Sequence, residues 1–431
     1  MTRAEWIRAG ALYFPIALAL VAGMLRGGER RLFAGCPLSV LWTAPALLGL
    51  QRLNEWAGWW TFAHEGVTFG GMPLELYLGW IVLWGMLPEL GLERLGLGWC
   101  TAPMVVVDLI AMPLCRPVVE LHRGWLGGEA VAALLVLLPG LCVARWTLEE
   151  SHLRARAALQ VAIAAMLFFY LLPEMGFAMR PGRGWAPLLA MPGWQVQIAV
   201  QLILVAAVPG LGAVAEFAGR GRGTPIPYDP PRRLVTSGIY RYCANPMQMS
   251  CALVMVLWAG LLRNGWLVAV AAVAIVYGAG IAEWDERQDL ARRFGEPWRQ
   301  YRAQVRNWQP RWRPYHAGPV ARLYIAASCG PCCELRGWLV ARQPLGMDLM
   351  DAETLPGGAI RRLRYDPCEG DAPVEGVRAL GRALEHLHLG WAVAGAALRL
   401  PGVWQLVQLV MNASGLGPRE LGVQAGTEPL V

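Results

Sequence analysis

The chain has 431 residues, of which 56% are hydrophobic and only 16% charged. Soluble domains carry roughly 25% charged residues, so long stretches here cannot face water and a wholly soluble enzyme is excluded. All 38 basic side chains are arginine, which removes P-loop, Schiff-base and lysine-nucleophile chemistry, and the net charge of +7 suits cytoplasmic loops on anionic lipid. No basic–aromatic stripe of the kind single-stranded nucleic acid needs is present.

A membrane span takes about 20 mostly apolar residues. Runs of that kind lie near 9–25, 33–50, 73–91, 97–115, 127–144, 157–174, 194–217, 247–262 and 266–283, which predicts about nine transmembrane helices. The first run lacks the short apolar core and small-residue cleavage site of a signal peptide, so it is expected to stay in the mature protein. Many of the 21 tryptophans fall near the ends of these runs, at the headgroup level that indole favours. Arginine marks alternate loops: Arg26, Arg30 and Arg31, then Arg145, Arg154 and Arg156, then Arg220, Arg222, Arg232, Arg233 and Arg241. By the positive-inside rule these loops are cytoplasmic. The N-terminus is then outside and the C-terminal part cytoplasmic, in what reads as a bacterial inner membrane.

Five acids fall in or beside apolar runs: Glu75, Glu89, Asp108, Glu174 and Glu216. A charge at membrane depth is costly and marks a functional candidate by default. Glu75, Glu89 and Glu174 stand next to prolines near span ends, where water can reach them. Asp108 is the deepest, and reads either as functional or as a buried helix-to-helix hydrogen bond. Cys36, Cys100, Cys115 and Cys142 are scattered through apolar runs and read as small core hydrophobes. Residues 1–190 form a multi-span region with no assigned role.

Residues 284–305 read as an amphipathic helix on the inner membrane surface, with Leu290, Phe294, Tyr301 and Val305 on one face and arginines on the other. Before it runs Gly223-Thr-Pro-Ile-Pro-Tyr-Asp-Pro-Pro-Arg-Arg-Leu-Val235, then Thr-Ser-Gly238-Ile-Tyr240-Arg241-Tyr-Cys-Ala-Asn245-Pro246-Met247. Together with Glu286, Leu290, Phe294-Gly295, Trp298, Tyr301 and Pro310, this resembles the isoprenylcysteine carboxyl methyltransferase family, in its bacterial branch akin to phospholipid methyltransferases. The resemblance covers about 194–315 and defines a membrane domain over 191–316. It implies S-adenosylmethionine bound at the cytoplasmic face, with Tyr240, Arg241, Asn245, Pro246, Glu283 and Glu286 as cofactor-binding residues. A lipid-like or small hydrophobic methyl acceptor would enter from the bilayer. The chain differs from the family's pattern at Ala244, Gln248 and Arg287, where Arg, Tyr and Glu are usual.

Beyond a Gly-Pro linker the pattern turns strand-like at Arg322-Leu-Tyr-Ile-Ala326, and the boundary is placed near 320. Cys329-Gly-Pro-Cys332 follows, then an apparent helix. Strand, C-x-x-C, helix is the thioredoxin-type arrangement, in which the first thiol sits at a helix N-terminus that favours thiolate. Zinc is the competing use of C-x-x-C, with Cys333 or Cys368 as extra ligands, but there is no second C-x-x-C and no histidine pair at zinc spacing. With the helical pattern from Val374 and Leu400-Pro-Gly-Val-Trp-Gln-Leu-Val407, residues 322–415 resemble the DCC family of thiol–disulfide oxidoreductase-like proteins. Ala327-Ser328 replace that family's Asp-Gly. The resemblance implies Cys329 and Cys332 as catalytic thiols in a thioredoxin-like cytoplasmic domain over 321–431.

The expectation is thus an α-helical integral membrane protein of about nine spans with a C-terminal α/β thioredoxin-like domain. The leading functional reading is an S-adenosylmethionine-dependent methyltransferase. The alternatives are a membrane-anchored thiol–disulfide oxidoreductase on an inert methyltransferase-like anchor, and a scaffold with both sites degenerate.

Overall fold

The computed structural model describes residues 2–25, 32–63, 65–91, 95–179, 184–225, 230–355 and 362–418, with the side chains of 32–34, 277 and 281–287 outside the description. The chain is mostly helical, with a small sheet near its C-terminus. It divides into two compact units, Met1–Ala190 with Thr224–Pro230, and Met191–Gly223 with Pro231–Val431.

Among the described residues five helices are long and apolar enough to cross a membrane: Arg3–Leu25, Leu97–Leu114, Trp125–Leu148, Leu153–Ala178 and Gly193–Gly221. A sixth candidate is the pair Leu389–Arg399 and Val403–Leu416, bent by 89°. The other runs differ from a simple span for local reasons. The helix Leu32–Ala57 reaches 26 residues, but its last turns carry Gln51, Arg52, Asn54 and Glu55. The run at 73–91 breaks at Met86 into Leu74–Gly85 and Leu87–Gly91, where Pro88 offers no N–H to continue the ladder. Pro246–Leu261 and Gly265–Gly280 are shorter.

In the first unit the core is apolar and aromatic, built around Leu48, Trp60, Leu76, Trp84, Val136 and Leu141. Strand β1 (Trp60–Phe62) pairs antiparallel with β4 (Val119–Leu121), and β2 (Thr68–Phe69) with β3 (Met72–Pro73). Helices Arg3–Leu25 and Leu74–Gly85 cross so tightly that a Cβ on Gly79 would lie 2.0 Å from the Ala11 carbonyl oxygen. Only glycine allows that approach.

In the second unit Gly193–Gly221 packs along Pro246–Leu261, which forms a hairpin with Gly265–Tyr277. The amphipathic helix Glu283–Gln304 follows, kinked at Gly295 (φ 59°). The sheet has the order β6-β5-β7-β8, with β5 (Ala321–Ile325) at its centre. Strand β6 (Met347–Asp351) is parallel to β5, in the register Ala321↔Met347 to Ile325↔Asp351. On the other side β7 (Arg364–Asp366) is antiparallel to β5, and β8 (Val374–Glu375) is antiparallel to β7. Leu323, Ile325, Leu339, Met347, Tyr365 and Ala379 fill the core between sheet and helices.

The C-terminal helices also pack on the apolar helix Gly193–Gly221. Ala392 and Ala396 bury against Ile239, Tyr242 and Val208, and the Tyr242 hydroxyl donates to the Glu385 carbonyl at 2.9 Å. Chain on both sides of residue 320 therefore shares one core.

Candidate functional site

The turn before Pro246–Leu261 is fixed first by its backbone. Gly238 has φ +62°, and a Cβ there would fall 2.7 Å from the Glu216 side chain. A tight helical turn, Gly238–Arg241, follows, and Pro246 opens the next helix, where its missing N–H costs nothing. The segments 238–246 and 301–315 meet here. Tyr301 Oη donates to the Tyr240 carbonyl at 2.8 Å. The Ala244 amide donates to the Arg306 carbonyl at 3.1 Å, and the Tyr315 amide to the Arg241 carbonyl at 2.8 Å.

Of the expected cofactor residues, Tyr240 is buried and lines a cleft of about 70 Å³ with Phe217, Leu290, Trp298, Tyr301 and Arg302. Asn245 is turned to internal work: its Oδ1 accepts from the Trp308 amide at 3.0 Å and its Nδ2 donates to Gln248 Oε1 at 3.2 Å. Arg241 is buried too, and it acts on groups of the C-terminal half. Burial first, and Arg241 second, hold His386 well below its usual pKa. His386 Nδ1 lies 2.8 Å from the Leu345 carbonyl, and its Nε2 lies 2.9 Å from the Tyr365 hydroxyl. A carbonyl only accepts, so Nδ1 carries the proton and Tyr365 donates to Nε2. Burial pushes Tyr365 itself up to about 12, against the pull of Arg241. The side chains of Glu283 and Glu286, and that of Arg287, lie outside the described residues. The charged member of the described cleft wall is Arg302, a poor neighbour for a sulfonium.

The thiol site is built from strand to helix. Strand β5 delivers the chain to Cys329, the N-cap residue of helix Gly330–Val340, with Pro331 in its first turn. The Cys333 amide closes that turn on the Cys329 carbonyl at 2.9 Å, and the Cys333 thiol donates to the Ala327 carbonyl at 3.1 Å. Among the described residues no disulfide joins any of the ten cysteines. Cys329 and Cys332 form part of the wall of a cavity of about 290 Å³. Pro331, Leu335, Val377, Leu380 and Met411 make much of the rest, and Arg362 is its charged member. Among the described residues no three His, Cys, Asp or Glu side chains are placed to hold one metal ion.

One residue of this site is absent from the sequence reading. Glu353, just past β6, accepts from the Ala327 amide at 3.0 Å, the Ser328 amide at 3.2 Å and the Ser328 hydroxyl at 3.0 Å. Its slight burial would raise its pKa, but these donors prevail and hold it below the usual carboxylate range. Glu353 thus staples the loop that presents Cys329. No local signal points to it, because a glutamate after a strand is ordinary and its partners lie 25 and 26 residues earlier.

Four of the five acids found in apolar runs face an arginine. Glu75 stands 3.9 Å from Arg8, Glu89 3.3 Å from Arg145, and Glu174 3.0 Å from Arg52. Glu216, 1% exposed, receives Arg382 at 2.7 Å, Arg399, and the Ser237 hydroxyl at 2.7 Å. Arg220 joins it from one turn below and reaches Asp371 at 3.0 Å. Asp108 differs: its Oδ1 accepts from Trp80 Nε1 at 2.7 Å.

Comparison with known protein families, with curated proteins and with solved structures returned no match.

Proposed function

We propose that this membrane protein carries a thioredoxin-like thiol–disulfide oxidoreductase site over residues 321–418, working on an apolar disulfide. The observation that carries the reading is the placement of both C-x-x-C thiols in the wall of the 290 Å³ apolar cavity, with Cys329 at a helix N-terminus. The strand order β6-β5-β7-β8, with the cysteines between two parallel strands and an antiparallel pair after them, also favours a thioredoxin-like arrangement. In the reaction the Cys329 thiolate attacks one sulfur of the substrate disulfide and expels the other as thiolate. Cys332, as thiolate, then displaces the mixed disulfide. The substrate leaves as two thiols, reduced by the two electrons and two protons that the Cys329 and Cys332 thiols give up, and those two cysteines remain joined as the oxidised disulfide. The helix N-terminus favours the attacking thiolate. The test is trapping: full-length Cys332→Ser should accumulate an adduct on Cys329 with an uncharged aromatic disulfide, and Cys329→Ser should form none. A folded Cys332→Ser protein without an adduct on Cys329 contradicts the reading.

A second reading, S-adenosylmethionine-dependent methyl transfer to a lipid-like acceptor, is favoured by one observation: the turn at 238–245 is bonded to residues 301–315 around the aromatic cleft at Tyr240. Asn245's internal bonds and Arg302 in the cleft rank it second. Calorimetric titration of the full chain with S-adenosylmethionine decides it: heat lost in Tyr240→Ala supports it, and no heat from folded wild type removes it.

Nine crossings are proposed when Leu32–Ala57, the broken 73–91 run and the two helices of the 246–280 hairpin are added to the five longer helices, the shorter ones being accommodated by local thinning. Arginine in alternate loops then puts the thiols on the cytoplasmic side.

A further inference from the structure

Asp108 lies on Leu97–Leu114 and Glu129 on Trp125–Leu148, two of the helices long and apolar enough to cross a membrane. Both are buried, at 2% and 6% exposure. Where the other acids face arginine, these two carboxyls hydrogen-bond to each other. Ionised carboxylates only accept hydrogen bonds, so a bonded pair must hold a proton, and like charges at this separation cannot both ionise in a dry interior. Trp80 Nε1 donates to Asp108 Oδ1 at 2.7 Å and fixes that oxygen as an acceptor. Among the described residues no arginine or histidine is seen acting on either carboxyl, and Cys115, at the end of Asp108's own helix, is a further titratable neighbour.

Beside the pair is a cavity of about 30 Å³, lined by Gln51, Trp60, Trp80, Trp84, Asp108 and Glu129 among others. The indole N–H groups of Trp60 and Trp84, residues that are 5% and 2% exposed, are buried and have no acceptor among the described residues. A buried donor without a partner is unfavourable, and both indoles belong to residues lining this cavity, so the cavity calls for an acceptor. A metal cation is disfavoured by two N–H groups, and an anion by the pair's remaining negative charge. Water satisfies both sides, accepting from indole and donating to carboxylate, and one water needs roughly 10–15 Å³.

We infer that Asp108 and Glu129 form a proton-binding site inside the first unit, sharing one proton that exchanges with water held against Trp60 and Trp84. The site is independent of the thiol chemistry.

Infrared spectroscopy of the full-length protein in lipid nanodiscs tests it. At neutral pH the wild type should show the carbonyl stretch of a protonated carboxylic acid, and the band should shift on transfer to deuterated water. Asp108→Asn and Glu129→Gln should each move the band, because the acid left behind stays buried and protonated, and the double variant should lose it. Trp80→Phe, which removes the bond to Asp108 and leaves both acids, should also move it. A wild type without the band, a band that survives the double variant, or a band deaf to deuterium would overturn the inference. If the double variant does not fold, the deuterium shift and Trp80→Phe still decide.

Discussion

An acid in an apolar helix reads the same in sequence whatever faces it, and here its partner settles its role. Glu89 with Arg145 and Glu174 with Arg52 are ion pairs, whereas Asp108 with Glu129 is a shared proton. The hydropathy pattern located Asp108 and the four acids that face arginine but missed Glu129 in the run 127–144, and it could not tell ion pair from shared proton, because the partners lie far away in sequence. Glu216 and Arg399, 183 residues apart, are the extreme case. Removing one partner of a buried ion pair costs about 3–5 kcal/mol, since the other charges stay buried. Glu216→Gln should therefore destabilise the second unit by about that much, read as a lowered midpoint in denaturant titration in detergent. His386 gives a pH signature. Its folded pKa lies well below the free value, so the unfolded chain binds the proton first. Its contribution to stability is complete above pH ~6.5 and is lost as the pH falls from there toward the folded pKa. Acid titration followed by near-ultraviolet circular dichroism should show this slope in wild type and a flatter one in His386→Gln.

At the scale of elements, what is local in sequence was legible. The strand, the C-x-x-C and the helix lie in consecutive residues, and β5 and the helix Gly330–Val340 fall where the pattern places them. The cavity beside them was not legible, because its far wall comes from Val377, Leu380 and Met411, brought in by the fold. Filling it is the sharpest element-scale test. Leu380→Trp should slow the reaction of Cys329 with an uncharged aromatic disulfide by about tenfold or more, roughly 1.4 kcal/mol, and leave alkylation by a small reagent unchanged. The span count shows the opposite limit. Window hydropathy is blind to helix breaks, so the run at 73–91 reads as one span although the chain breaks at Met86. The residues expected from the sequence to hold a cofactor divide in a similar way. The sequence pattern found the turn at 238–246 and the segment that meets it, but not that Asn245 faces inward.

For the whole molecule, the linker near 320 reads in sequence as a domain boundary, with Gly318 at φ +130°. The structure ties the two sides together through Glu216, Arg382 and Arg399 and through Ala392 and Ala396 on Ile239. A protease site inserted at Gly318 should thus cut the chain without releasing the C-terminal fragment on size-exclusion chromatography, until Glu216→Gln loosens it. The account's central claim is that Cys329 and Cys332 are working thiols, and it is met most directly by alkylating Cys329 as a function of pH in the full-length protein in nanodiscs. The account predicts a midpoint below the free-thiol value of about 8.5, and a Cys329–Cys332 disulfide after treatment with an uncharged aromatic disulfide. A midpoint at or above that value, with no such disulfide formed, would contradict it.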